Sequence, residues 1–127
     1  MKSAAKHILI VDNDLGFICW LGSVLTAAGY RSWPACSTSE AISLSTRKPL
    51  ARLDLLIVNA SLPGVSELIA HFRRAHSRLK VMALGPQAET LAGVHAWHPT
   101  PGLSDDSARE EWVRAVRQAS GRQNRAA

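Results

Sequence analysis

Two short apolar runs constrain this chain more than anything else in it: ILIV at 8–11 and LLIV at 55–58. Neither alternates with polar residues. The first ends abruptly in Asp12, Asn13 and Asp14, the second in Asn59, with Pro63 and Gly64 just beyond. Continuous apolar runs of this length, bounded by turn signals, read as strands buried on both faces. In an open α/β sheet, ligands collect in the crevice outside the carboxyl ends of the strands. The polar residues that close both runs therefore fall where a site belongs, and an asparagine stands where a carboxylate would be the more useful chemical group.

The segments between the runs carry a different period. Phe17, Leu21, Val24, Leu25 and Ala28 form the stripe of an amphipathic helix that Gly29 stops. YRSWPA (30–35) reads as a weak strand with Pro34 near its end. Ser37 and Glu40 match a capping box that starts a second helix, which must end before Pro49. Leu68, Phe72 and Ala75 mark a third helix, LKVMAL (79–84) a fourth strand and GVHAW (93–97) a fifth. Ser107 and Glu110 repeat the capping-box pattern ahead of Trp112, Val113, Val116 and Ala119, with Asp105 and Asp106 at the dipole-favoured end of that last helix. Strands alternating with helices predict an α/β fold, a doubly wound parallel sheet in one domain over 1–120. GRQNRAA (121–127) reads as a frayed tail or the start of a linker.

Composition narrows the function classes. A chain of 127 residues holds one ordinary core, and 46% apolar with 20% charged residues is a globular balance. No apolar run approaches the ~18 residues of a membrane span, and the start turns acidic where a signal peptide stays apolar, so the cytoplasm is the expected compartment. The formal charge of +5 permits nucleic-acid binding. Its basic residues gather in HFRRAHSRLK (71–80) and in an acid-free tail with Arg114, Arg117, Arg122 and Arg125. With Phe72 claimed by the core, no aromatics interleave with them, so a solvated face is the simpler reading. Cys19 and Cys36 are too few for a disulfide framework and are expected to be buried free thiols. His71 and His76 are five apart, and His95 and His98 would face opposite sides of a regular strand, so no metal site is expected. Trp33, Trp97 and Trp112 are expected to be partly core, whereas Trp20 falls outside the inward stripe of its helix.

These residues carry a family resemblance. ILIVDND, the spacing of Leu21, Leu25, Gly29 and Tyr30, then Ala35, Glu40 and Ala41, and finally DLLIVNASLPG resemble the CheY-like receiver domain of bacterial response regulators over roughly 6–120. The resemblance implies a flavodoxin-like five-stranded sheet of order 2-1-3-4-5 and a two-component signalling context. In that family an aspartate at the end of the third strand takes a phosphoryl group from a histidine kinase, and an acidic pair beside it holds Mg²⁺. A Ser or Thr after the fourth strand contacts the phosphate, and a Lys after the fifth neutralises it. Here the phosphoacceptor position is Asn59, and the acidic pair falls on Asp12 and Asn13, with Asp14 following. Gly85 occupies the hydroxyl position and His98 the lysine position.

The departures hang together. A carboxamide is a poor nucleophile toward phosphorus, because its nitrogen lone pair is delocalised and its oxygen carries no full charge. Mg²⁺ wants charged oxygen ligands and dehydrates reluctantly, so it binds weakly at best. Without a phosphoryl group to neutralise, a Lys would be a stranded charge, whereas a His can be neutral. The expectation is a pseudo-receiver: no enzyme, no cofactor, and a contact with protein partners or with itself that needs no phosphorylation. One alternative is a live receiver using Asp12 or Asp14 as acceptor, and another is a basic nucleic-acid-binding domain. The twelve residues 86–97 must hold a loop, a helix and a strand of ~5 residues, leaving at most two helical turns of ~3.6 residues each. The family's fourth helix is therefore expected to be shortened or missing. That would uncover apolar surface near Trp97 and make His95 and Trp97 a candidate interface, unless Trp97 folds inward.

Overall fold

A computed structural model of the chain describes residues 5–47, 52–85, 91, 93–98 and 106–120. Five strands, β1 (His7–Val11), β2 (Arg31–Ala35), β3 (Leu55–Asn59), β4 (Lys80–Leu84) and β5 (Ala96–His98), pair in parallel in the order β2-β1-β3-β4-β5. Among the described residues four helices cover the sheet: α1 (Leu15–Ala27), α2 (Thr38–Leu44), α3 (Val65–Ala75) and α4 (Asp106–Ser120). Successive side chains of a strand point to opposite faces, and both faces are filled. Leu9, Val11, Leu56, Val58 and Val81 pack with Ala41 of α2 and with Leu68 and Phe72 of α3. Ile8, Ile10, Leu55, Ile57 and Met82 pack with Leu21 and Leu25 of α1 and with Trp112 and Val116 of α4. At ~1.5–3 kcal/mol for each fully buried aliphatic side chain, these two layers dominate the stability of the fold. The unbroken apolar runs are thus strands with a helix layer on each side.

Local chemistry ends the helices where the strands need them to end. Asp14 caps α1, its side chain accepting the Phe17 N–H at 3.1 Å. At the other end Tyr30 N–H bonds to Leu25 O at 3.0 Å and Gly29 N–H to Thr26 O at 3.1 Å, the paired bonds of a Schellman motif. Gly29 takes φ +100 there, a conformation open to glycine and costly for other residues. Ser37 caps α2 by accepting the Glu40 N–H, while the Glu40 carboxylate reaches back to the Cys36 N–H. Pro34 lies in the exposed edge strand β2, where a missing N–H costs no central ladder bond.

Several expectations change. β5 begins at Ala96 instead of 93, because Gly93 adopts a turn conformation with φ +86. The inward face of α3 is Val65, Leu68, Ile69 and Phe72, and Ala75 is exposed. Helix α4 is already under way at Asp106, one residue before Ser107. Both cysteines are exposed: Cys19 falls on the outer side of α1, and Cys36 follows the last residue of the edge strand. Trp20 is half-buried and packs on the α1/α4 core layer, its ring 6.4 Å from that of Phe17. Among the described residues no helix stands between β4 and β5, and no helix is long and apolar enough to cross a membrane. Asp105, Arg122, Arg125 and the 121–127 tail lie outside the described residues.

Candidate functional site

Parallel pairing brings the ends of β1, β3, β4 and β5 to one edge, and with them Asp12, Asn59, Gly85 and His98. The centre of this group is Asn59. Its side-chain N–H donates to Asp12 Oδ1 at 3.1 Å, across from β3 to β1. Its side-chain oxygen accepts the Ser61 N–H at 2.9 Å and the Ser61 hydroxyl at 2.8 Å. The Ser61 N–H bond, two residues on, is an Asx-turn, and Leu62 N–H closes the same turn on Asn59 O at 3.1 Å. Reversing the amide would set NH₂ against a backbone N–H and an oxygen against a carboxylate. The position therefore uses both halves of a carboxamide, a donor on one side and an acceptor on the other.

Asp12 is 4% exposed, and its Oδ1 also accepts the Asp14 N–H at 3.2 Å. A buried carboxylate needs such donors, because an unpaired charge away from water is costly. Asp14 is committed to the cap of α1, and Asn13 is exposed. Three polar residues in a row thus have three placements, with one carboxylate facing Asn59. Among the described residues no group of three or more His, Cys, Asp or Glu side chains could hold a metal ion.

Gly85 and His98 are joined by a backbone bond, and His98 is packed into the core. Gly85 offers a backbone N–H, which donates to His98 O at 3.0 Å. His98 is buried and its ring stacks on Trp112 with centroids 3.8 Å apart. Trp112 also meets Phe17 at 5.7 Å, so His98 joins the core layer under α1 and α4. His95 turns the other way, toward α3: its Nδ1 accepts the Val81 N–H at 3.1 Å and faces Arg73 Nη2 at 3.2 Å. Burial, then the charges of Arg73 and Lys80, hold the His95 pKa below its ordinary 6.5. Trp97 is half-buried and lines a groove with Met82, Ala115 and Ala119, neither fully outward nor in the core layers.

Three partners escaped the sequence reading: Ser61, Trp112 as the support of His98, and Arg73. For Ser61 the i+2 spacing from Asn59 was a usable Asx-turn signal. The other two are long-range contacts with no signature along the chain.

No protein-family model matches the chain, and no curated protein matches it either. Solved structures do. A CheY-like response regulator receiver domain protein from Methanospirillum hungatei JF-1 aligns with a TM-score of 0.73 at 18% identity, covering 91% of this chain and 94% of that one. Chemotaxis protein CheY4 of Vibrio cholerae aligns at 0.75 with 17% identity over 91% and 99%. A candidate response regulator from Chloroflexus aurantiacus J-10-fl aligns at 0.70 with 26% identity over 93% and 99%. With its strand order and these likenesses, the chain has the fold of the CheY-like receiver domains of response regulators.

Proposed function

We propose that this domain, over 1–120, is a pseudo-receiver that acts in a cytoplasmic signalling pathway by phosphorylation-independent contact with a protein partner. The observation that carries the reading is the two-sided bonding of Asn59, whose amide donates to Asp12 and accepts from Ser61. A carboxylate at that position could keep the acceptor half and would lose the donor half, setting two anions face to face. The carboxamide is therefore a working part of a closed hydrogen-bond set, with no nucleophile left in it. Unusual acceptors fare no better: Asp14 holds the α1 cap, and Asp12 is buried with its bonds spent inward. Mg²⁺ would find one well-placed carboxylate where it needs several charged oxygens, so its binding is weak and structurally dispensable.

Incubation with acetyl phosphate and Mg²⁺, followed by intact mass, tests this. The mass stays unchanged, and Asn59→Asp alone does not restore efficient transfer, because Asn13, Gly85 and His98 still lack the supporting groups. A stable phosphoryl adduct on the unaltered protein overturns the reading. So does micromolar Mg²⁺ affinity in a calorimetric titration.

A further inference from the structure

The amino ends of the strands form a second polar region, at the pole opposite Asn59. Grooves of ≈ 320 and ≈ 310 Å³ lie there, a third of ≈ 480 Å³ runs from it along β5 and α4 as far as His98, and Lys80, the first residue of β4, lines all three. Lys6, Arg73 and Arg78 contribute further positive charge, and among the described residues the one lining carboxylate is Asp54. Asp54 is already engaged, accepting the His7 N–H at 2.8 Å and lying 3.7 Å from Arg52.

The four cations divide into two kinds. Lys6 donates to Ser120 O at 2.8 Å, at the carboxyl end of α4. Arg73 donates to Leu79 O at 2.9 Å and to Gly93 O at 3.0 Å. Both spend their donors on the fold and hold the walls of the grooves. Arg78 and Lys80 are exposed, and neither side chain makes a hydrogen bond or ion pair with the described residues. Beyond Lys80 the groove turns apolar, lined by Met82, Trp97, Ala115 and Ala119.

We propose that this pole docks an acidic segment of a partner protein, with its carboxylates on Arg78 and Lys80 and an apolar side chain in the groove beside Trp97. The inference deepens the pseudo-receiver reading, and rests on it for the constitutive character of the contact, by giving the partner's chemistry. Free cations beside an apolar cleft are the complement of a peptide that alternates carboxylates with an apolar anchor. A duplex backbone is held by an extended track of cations, and single strands by several stacking aromatics. Here two free cations adjoin a concavity with one tryptophan, which favours the peptide.

The test is fluorescence anisotropy of the full chain with three probes: a glutamate-rich peptide carrying leucines, its leucine-free counterpart, and a short DNA duplex. We expect the leucine-bearing peptide to bind most tightly, and binding to weaken as salt rises. The charge reversal Arg78→Glu with Lys80→Glu should weaken it by about tenfold or more, whereas Arg109→Glu on α4 should leave it unchanged. Should the double reversal fail to fold, Lys80→Ala carries the same comparison. No peptide binding at low salt, binding indifferent to the reversal, or tighter binding of the duplex each overturns the proposal. The titration uses neither phosphodonor nor Mg²⁺, so its failure leaves the Asn59 reading standing, and a phosphoryl adduct would leave the groove result standing.

Discussion

The two ends of the sheet are built from the same strands and have opposite characters. At the carboxyl ends the polar groups face one another. Asp12, Asn59 and Ser61 close a hydrogen-bond set, and His98 is buried against Trp112. At the amino ends Arg78 and Lys80 are exposed around open grooves. The fold would place ligand chemistry at the first end, by the rule for open α/β sheets. Among the described residues Asp12, Asn59 and Ser61 at that end are bonded to one another, whereas the Arg78 and Lys80 side chains at the other make no such bond. The difference teaches that a fold locates a crevice without guaranteeing that anything enters it. What the crevice can do is decided by which groups remain unpaired.

Substitutions at the two ends should differ in cost accordingly. The largest loss is expected from Trp112→Ala, which removes a 2%-exposed ring and the surface on which His98 stacks: ~3–5 kcal/mol by chemical denaturation. A loss much smaller than this would mean that the carboxyl-terminal end is not packed shut. Next comes Asn59→Asp, expected to cost roughly 2–3 kcal/mol at neutral pH, because it turns the donor facing buried Asp12 into a second anion. The loss should shrink as the pH is lowered and one carboxyl takes a proton. Recovery by millimolar Mg²⁺ would instead show that the two carboxylates form an ion site.

Trp97→Ala sharpens the contrast from the other side. A half-buried ring in a groove should cost about 1–2 kcal/mol, and the same change should weaken the acidic-peptide complex. Smaller still is the pH response of the open end. His7 and His95 both have folded-state pKa values lowered chiefly by burial. A depressed histidine pKa means that the unfolded chain binds protons first. The melting temperature should therefore hold steady above the ordinary value of 6.5 and decline as pH falls below it toward the folded values. His95→Asn keeps an acceptor for the Val81 N–H and should flatten part of that decline; an unchanged profile would remove His95 from the account. Least of all, the double reversal at Arg78 and Lys80 should leave the melting temperature essentially where it was, since exposed charges that bond to none of the described residues support little packing.

What could be read along the chain follows from the range of each signal. The buried strands announced themselves because ILIV and LLIV are continuous in sequence, and Gly29 marked a helix end through a purely local φ requirement. That Asn59 offers a carboxamide in place of a carboxylate was legible because residue type alone limits its chemistry. Its bonding was not, since Asp12 lies 47 positions away and Ser61 matters only once the turn forms. Cys19 and Cys36 were misplaced for a related reason: a thiol's average preference for burial says nothing about which side of α1 faces out. The split among the cations was equally hidden, because Lys6 and Arg73 are told from Lys80 and Arg78 only by where their donors end.

Asparagine is also a residue that ages. Its side-chain carbonyl can be attacked by the following backbone nitrogen, and the cyclic imide so formed opens to aspartate or isoaspartate. At this position that slow reaction would place a carboxylate beside Asp12 without any change in the gene. The attacking atom would be the nitrogen of Ala60, and its N–H is already donated to Leu84 O at 3.0 Å. The Asn59 oxygen is held by Ser61 at the same time. Ring closure must first break a bond between β3 and β4 and open the Asx-turn, so the contacts that hold Asn59 in place also oppose its conversion to a carboxylate.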